Sequence, residues 1–221
     1  ERWQRVADDQ ELLHSLISPE QERALLHDAP IPAGMRAVVV CTDADTVIAL
    51  RANNMSERLH LGIILVSQEH ALTYGERQMV ECVKLQPRLP LLLLHDASLD
   101  GVLTAQRIRQ TLGLRETRRV LDLGLHPRQA IKQRLMRLWQ APQPDLLEQV
   151  QQHATLDISA YHWLKRGNYT PLVSVGPARV IRVLSNALER LPAAPAPEAQ
   201  AQREAQAIGF LTWPTTEIER R

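Results

Sequence analysis

Aromatic residues are scarce in this chain. Of its 221 residues 4% are Phe, Trp or Tyr, and only one is Phe. Proteins that hold single-stranded nucleic acid by stacking need exposed aromatic platforms, so that class is disfavoured. Glycine is also sparse, at nine residues. The sequence contains no G-x-G-x-x-G turn, no Walker loop and no G-x-S-x-G elbow, which removes the usual phosphate-cradling and serine-nucleophile arrangements. It lacks any apolar run of about 18 residues, the length a membrane-spanning helix requires. Neither sign of charge dominates: 26 Lys and Arg stand against 25 Asp and Glu, for a net charge of +1. That excludes a polybasic or polyacidic protein but not a local patch. Only two cysteines occur, Cys41 and Cys82. They lie in apolar contexts without a C-x-x-C spacing, as expected in a reducing, cytoplasmic compartment. No signal or transit peptide is visible, and the chain opens on Glu1 rather than Met. A piece of a longer protein is expected, with a further domain or a membrane anchor ahead of it.

Hydrophobic residues make up 44% of the chain and charged residues 23%, the composition of a folded globular protein. The length suits one domain, or one with an appendage, and needs no disulfide or metal staple. Residues 8–28 carry helical spacing through Leu12, Leu13, Leu16 and Ile17, with a restart at Ser18 as N-cap and Pro19 in the first turn. From 35 to 141 short apolar runs alternate with helical stretches. The strands are expected at Ala37–Cys41, Gly62–Val66, Leu91–Leu94 and Arg119–Leu123. Helices are expected at Thr46–Met55, Tyr74–Leu85, Val102–Leu112 and Pro127–Trp139, the third stopped by Gly113. This alternation predicts an α/β fold: a four-stranded, mainly parallel sheet flanked by helices, Toprim-like or flavodoxin-like. Residues 145–191 read as a helical extension, with Pro177–Leu191 strongly amphipathic. Residues 192–221 begin as a Pro/Ala-rich linker and end in an apolar tail.

In an open parallel sheet, ligands bind outside the carboxyl ends of the strands. The residues that follow the four expected strands are therefore the candidates. They are Thr42, Asp43 and Asp45; then Ser67, Gln68, Glu69 and His70; then His95, Asp96, Ser98 and Asp100; then Leu125 and His126. Asp43, Asp45, Asp96 and Asp100, with Glu69, have the hard oxygen chemistry that Mg²⁺ takes. The same residue types also cap helices and accept tight turns, and Asp100 is well placed to cap the helix that begins near Val102. His70, His95 and His126 are ligands or acid–base groups by type, or simply loop residues. Cys41 is either a strand-end thiol or a packed core residue. Between Val102 and Gln140 nine basic residues face only Glu116 and Asp122. Arg107, Arg109, Lys132 and Arg134 from this stretch are candidates for phosphate or nucleic-acid contact, or for a solvated helix face.

The order of elements and these strand ends resemble the Toprim fold, most nearly the A subunit of archaeal type IIB topoisomerases and related nuclease-like bacterial proteins. The likeness spans about residues 36–140. It is carried by the block 61–108, with its "LP" and acidic strand end, and by LDLGLHPRQA at 121–130. The resemblance implies Mg²⁺ held by a Glu after the first strand and a D-x-D after the third. Here AVVVCTDAD (37–45) has Cys41 or Thr42 where that Glu belongs, and HDASLDG (95–101) has Ser98 in place of the second Asp. The implied site is degenerate, with Asp43, Asp45 or Asp100 as substitutes. Two functions remain open. One is a non-catalytic interaction or regulatory domain of a larger protein, acting through a protein partner or self-association. The other is a Toprim-like, Mg²⁺-dependent nucleic-acid-binding or nuclease module.

Overall fold

The computed structural model describes residues 18–27, 29–67, 71–114, 119–154 and 156–191. The expected helix before Ser18, the linker and tail at 192–221, and Glu69 and His70 lie outside the described residues. Four strands form one all-parallel sheet: β1 (Ala37–Cys41), β2 (Leu61–Leu65), β3 (Leu91–Leu94) and β4 (Val120–Asp122), in the order β2-β1-β3-β4. Every residue of β1, β2 and β3 is buried. That is why their sequences are continuous aliphatic runs rather than alternating ones. Val38, Val40, Leu91 and Leu93 share one face and meet Met79, Val80 and Val83 of α4 (Tyr74–Leu85), with Ile108 of α5 (Leu99–Thr111). Side chains alternate along a strand, so Ala37, Val39 and Cys41 point to the other face. Each aliphatic side chain fully buried there contributes about 1.5–3 kcal/mol.

Helix ends follow their capping residues. Ser18 opens α1 (Pro19–His27) by accepting from the Gln21 N–H at 3.2 Å, while Gln21 returns the contact to the Ser18 N–H at 2.9 Å. The helix expected at Thr46–Met55 is two pieces, α2 (Ala44–Ala52) and α3 (Met55–Leu59). They are separated at Asn54, whose φ of 52° is left-handed. Asparagine tolerates that conformation better than most residues. α5 begins three residues earlier than expected. Its cap is Ser98, whose Oγ accepts from the Gly101 N–H at 2.9 Å, and Asp100 sits inside the first turn. Gly113, at φ 61°, ends it as expected.

The long helix expected at Pro127–Trp139 is a correction. α6 covers only Pro127–Lys132, and β5 (Leu138–Trp139) pairs antiparallel with β6 (Asn168–Tyr169). The helix stops in a six-to-one closure. The Leu135 N–H reaches the Ala130 carbonyl at 3.1 Å and the Arg134 N–H reaches Ile131 at 3.2 Å, with Arg134 at φ 50°. The apolar spacing that suggested a helix instead serves a turn and a strand, and Trp139 is 67% exposed.

Helices α7 (Pro144–His153) and α8 (Ile158–Lys165) add a second small core. Val150 and Leu164 pack there on Leu99 and Leu103 of α5. A 3-10 turn at Leu172–Val175 leads into α9 (Pro177–Glu189), and both lie against α2. Among the described residues no helix is long and apolar enough to cross a membrane.

One buried ion pair ties four elements together. Arg51 on α2 donates to Glu76 on α4 at 2.8 Å, to Ile63 of β2 at 2.9 Å, and to the Leu25 and Leu26 carbonyls of α1 at 2.7 and 3.0 Å. Glu76, fully buried, also accepts from the Leu65 N–H at 3.0 Å and the Thr73 N–H at 2.9 Å.

Candidate functional site

The chain leaves β1 for β2 on one side, then returns to place β3 on the other side of β1. The switch point of this open sheet is thus between the carboxyl ends of β1 and β3, where a crevice for ligands is expected. Asp43 and Asp96 stand there. Asp43 caps α2 by accepting from the Thr46 N–H at 2.9 Å, and its carboxylate also takes the Thr46 hydroxyl. Asp96 accepts the Leu172 N–H at 2.7 Å. Next to it, Ala97 and Thr170 exchange backbone hydrogen bonds of 2.9 and 3.0 Å. Burial raises the Asp96 pKa and the Asp43 charge adds to that, while the Leu172 N–H works against both; the net shift is upward. The chain's own Thr170–Leu172 segment therefore sits on the carboxyl end of β3.

The other sequence candidates scatter. Asp45 is exposed in the first turn of α2, and Asp100 is exposed and ion-paired with Arg107 seven residues on. Arg107 also reaches Gln149 of α7 at 3.4 Å. Arg109 is half-buried on α5, whereas Lys132 and Arg134 are exposed at the end of α6. Cys41 is fully buried, and burial pushes its thiol far above the ordinary range, so it is a packed core residue. Among the described residues Asp43, Asp45, Asp96 and Asp100 do not converge as a group of three.

A different trio does converge, at the carboxyl ends of β3 and β4. His95, Asp122 and His126 place one ligand-type atom each within 4.8 Å of the others. His95 Nε2 is 3.0 Å from Asp122 Oδ1, and His126 Nε2 is 3.5 Å from Asp122 Oδ2. The two imidazoles meet edge to face at 5.5 Å. His95 is fully buried, and its Nδ1 lies 2.8 Å from the Asp96 carbonyl oxygen. Both ring nitrogens of His95 therefore face oxygen acceptors, an arrangement that favours the protonated ring. Burial opposes that charge, but the hydrogen bond and charge of Asp122 together with the Asp96 carbonyl outweigh it, and the pKa is raised. Burial likewise pushes Asp122 upward, yet His95, then His126 and the Gly124 N–H, prevail and lower it.

Local sequence builds this pocket. Asp122 ends β4, Gly124 follows, and its N–H donates to Asp122 Oδ1 at 3.0 Å. A Cβ at Gly124 would stand 2.3 Å from the His95 ring, so only glycine lets the chain pass there. His126 is held by its own N–H, which donates to Gln129 Oε1 at 3.0 Å. Asp122 and His126 open onto a cavity of about 390 Å³ that Gln133, Leu172 and Arg179 also line. His95 and His126 are readable in the sequence as strand-end residues. Asp122 and Arg179 are not, because one reads as a strand residue and the other as one polar position of an amphipathic helix. The D-x-G-x-H spacing at 122–126 is the signal that would have marked Asp122. No protein-family model matches the chain, and no curated protein matches it either.

Proposed function

We propose that this chain is a non-catalytic regulatory or interaction domain on a flavodoxin-like sheet, working in the cytoplasm. One observation carries the reading. The switch-point crevice, where an open α/β enzyme takes its substrate, is occupied by the chain's own Thr170–Leu172 segment, with Asp96 engaged by the Leu172 N–H. The free thiols of Cys41 and Cys82 fit a reducing compartment. Tyr74 and Leu85 leave large apolar side chains in solvent on α4, which suits a protein-facing surface.

A second reading is the Toprim-like, Mg²⁺-dependent nucleic-acid module, favoured by the Asp43 charge beside Asp96. Calorimetric titration with Mg²⁺, run beside a plasmid-nicking assay, separates the two. The regulatory reading predicts no saturable Mg²⁺ binding at millimolar ion and no nicking. Saturable Mg²⁺ binding that disappears in Asp96→Asn, with metal-dependent nicking, would overturn it in favour of the Toprim-like reading.

A further inference from the structure

We propose that His95, Asp122 and His126 bind one first-row transition-metal dication per chain, of the Zn²⁺ or Fe²⁺ type. The proposal does not depend on the regulatory reading, and it concerns different residues from the carboxylates to which Mg²⁺ was assigned.

Three features of the geometry point to an ion. The first is spacing. Two ligand atoms each about 2.0–2.1 Å from a tetrahedral Zn²⁺ lie about 3.3 Å apart. His95 Nε2 stands 3.0 Å from Asp122 Oδ1 and His126 Nε2 stands 3.5 Å from Asp122 Oδ2, one imidazole to each carboxylate oxygen, and one ligand atom from each of the three residues lies within 4.8 Å of the others. The second is orientation. A metal-bound histidine usually donates its other ring N–H to a carbonyl or carboxylate, which fixes the tautomer and the ring plane. His95 Nδ1 does this to the Asp96 carbonyl at 2.8 Å, leaving Nε2 aimed at Asp122. Its ring is further fixed by Gly124 and Gly101, where an added Cβ would stand 2.3 and 2.8 Å from ring atoms. The third is accessibility. His95 is sealed, whereas the side chains of Asp122 and His126 are 31% and 42% exposed toward the cavity. A ligand set of this size leaves coordination positions for water or an outside ligand, and the cavity has room for one.

The chemistry of the set selects the metal class. Two imidazoles and one carboxylate suit Zn²⁺, Fe²⁺ and their neighbours, whereas Mg²⁺ prefers oxygen ligands and keeps its waters.

The test uses the full chain stripped with a chelator and titrated with Zn²⁺ by calorimetry and with Co²⁺ by visible absorption. Expected are one ion per chain, visible Co²⁺ bands of a histidine-ligated site, and Zn²⁺-induced shifts confined to the Nε2 resonances of His95 and His126. His126→Ala and Asp122→Ala should weaken Zn²⁺ binding by about 100-fold or more. Absence of saturable binding at micromolar Zn²⁺, or variants that bind as tightly as the parent chain, would overturn the proposal. If a variant fails to fold by circular dichroism, the ring resonances of the parent chain decide: unshifted Nε2 signals at saturating Zn²⁺ refute the assignment.

Discussion

Glu76→Ala is expected to remove about 3–5 kcal/mol of folding stability, the usual cost of deleting one partner of a buried ion pair. The reason lies in what is left behind. Arg51, 5% exposed, keeps its charge but loses its carboxylate partner. The Leu65 N–H at the end of β2 and the Thr73 N–H at the start of α4 lose their acceptor as well. Urea unfolding of the two proteins measures the difference, and a loss below about 1 kcal/mol would contradict the account. The double variant Arg51→Met/Glu76→Leu should lose clearly less than the single one, since a well-packed apolar pair often replaces a buried ion pair at little cost.

Gly101→Ala sets two effects against each other. Gly101 lies in the first turn of α5, and alanine in a helix is better than glycine by about 1 kcal/mol. However, its Cβ would fall 1.9 Å from the Asp96 carbonyl oxygen and 2.8 Å from His95 Nδ1. The first of these atoms is backbone at the end of β3, and the second belongs to a fully buried ring, so neither can swing aside. Relief requires moving α5 off the sheet or breaking the His95–Asp96 hydrogen bond. Overpacking of this kind costs about 1–3 kcal/mol, and the rigid backbone contact puts this site at the upper end, so after the helix-propensity gain of about 1 kcal/mol the net expectation is a loss of up to about 2 kcal/mol. Thermal unfolding measures it, and a stabilised variant would show that the helix propensity had won.

How much of this was legible beforehand depends on which force shapes each segment. The strands were legible because AVVVC and LLLL are buried on both faces, and burial on both faces leaves only aliphatic runs. β2 lies one residue earlier than its run suggested, at Leu61 rather than Gly62. Pro127–Trp139 was misread because a helical apolar spacing there is overridden by distant pairing. β6 and the Thr170 hydroxyl, which donates to the Met136 carbonyl at 2.8 Å, hold residues 136–139 extended. Asp100 looked like a cap, but Ser98 stands at the end of the turn where its Oγ reaches the Gly101 N–H, and helix starts are decided by that geometry. At the site, strand-end position identified His95, Asp96 and His126. Convergence did not follow from the sequence, since it depends on β4 lying beside β3 and on Gly124 letting Asp122 turn toward both imidazoles. The contact of Asp96 with Leu172 joins residues far apart in the chain, and no local pattern announces it.

Residue-resolved amide hydrogen exchange tests the central claim, that the chain closes its own switch-point crevice. The Ala97 and Thr170 amides are bonded to each other's carbonyls, and the Leu172 amide to Asp96. All three should exchange as slowly as the β1 and β3 amides, because they open only with the sheet itself. Exchange of Thr170 and Leu172 at the rate of a solvent-exposed loop would mean an open crevice. It would contradict the account and return Asp43 and Asp96 to the role of ligand-binding carboxylates.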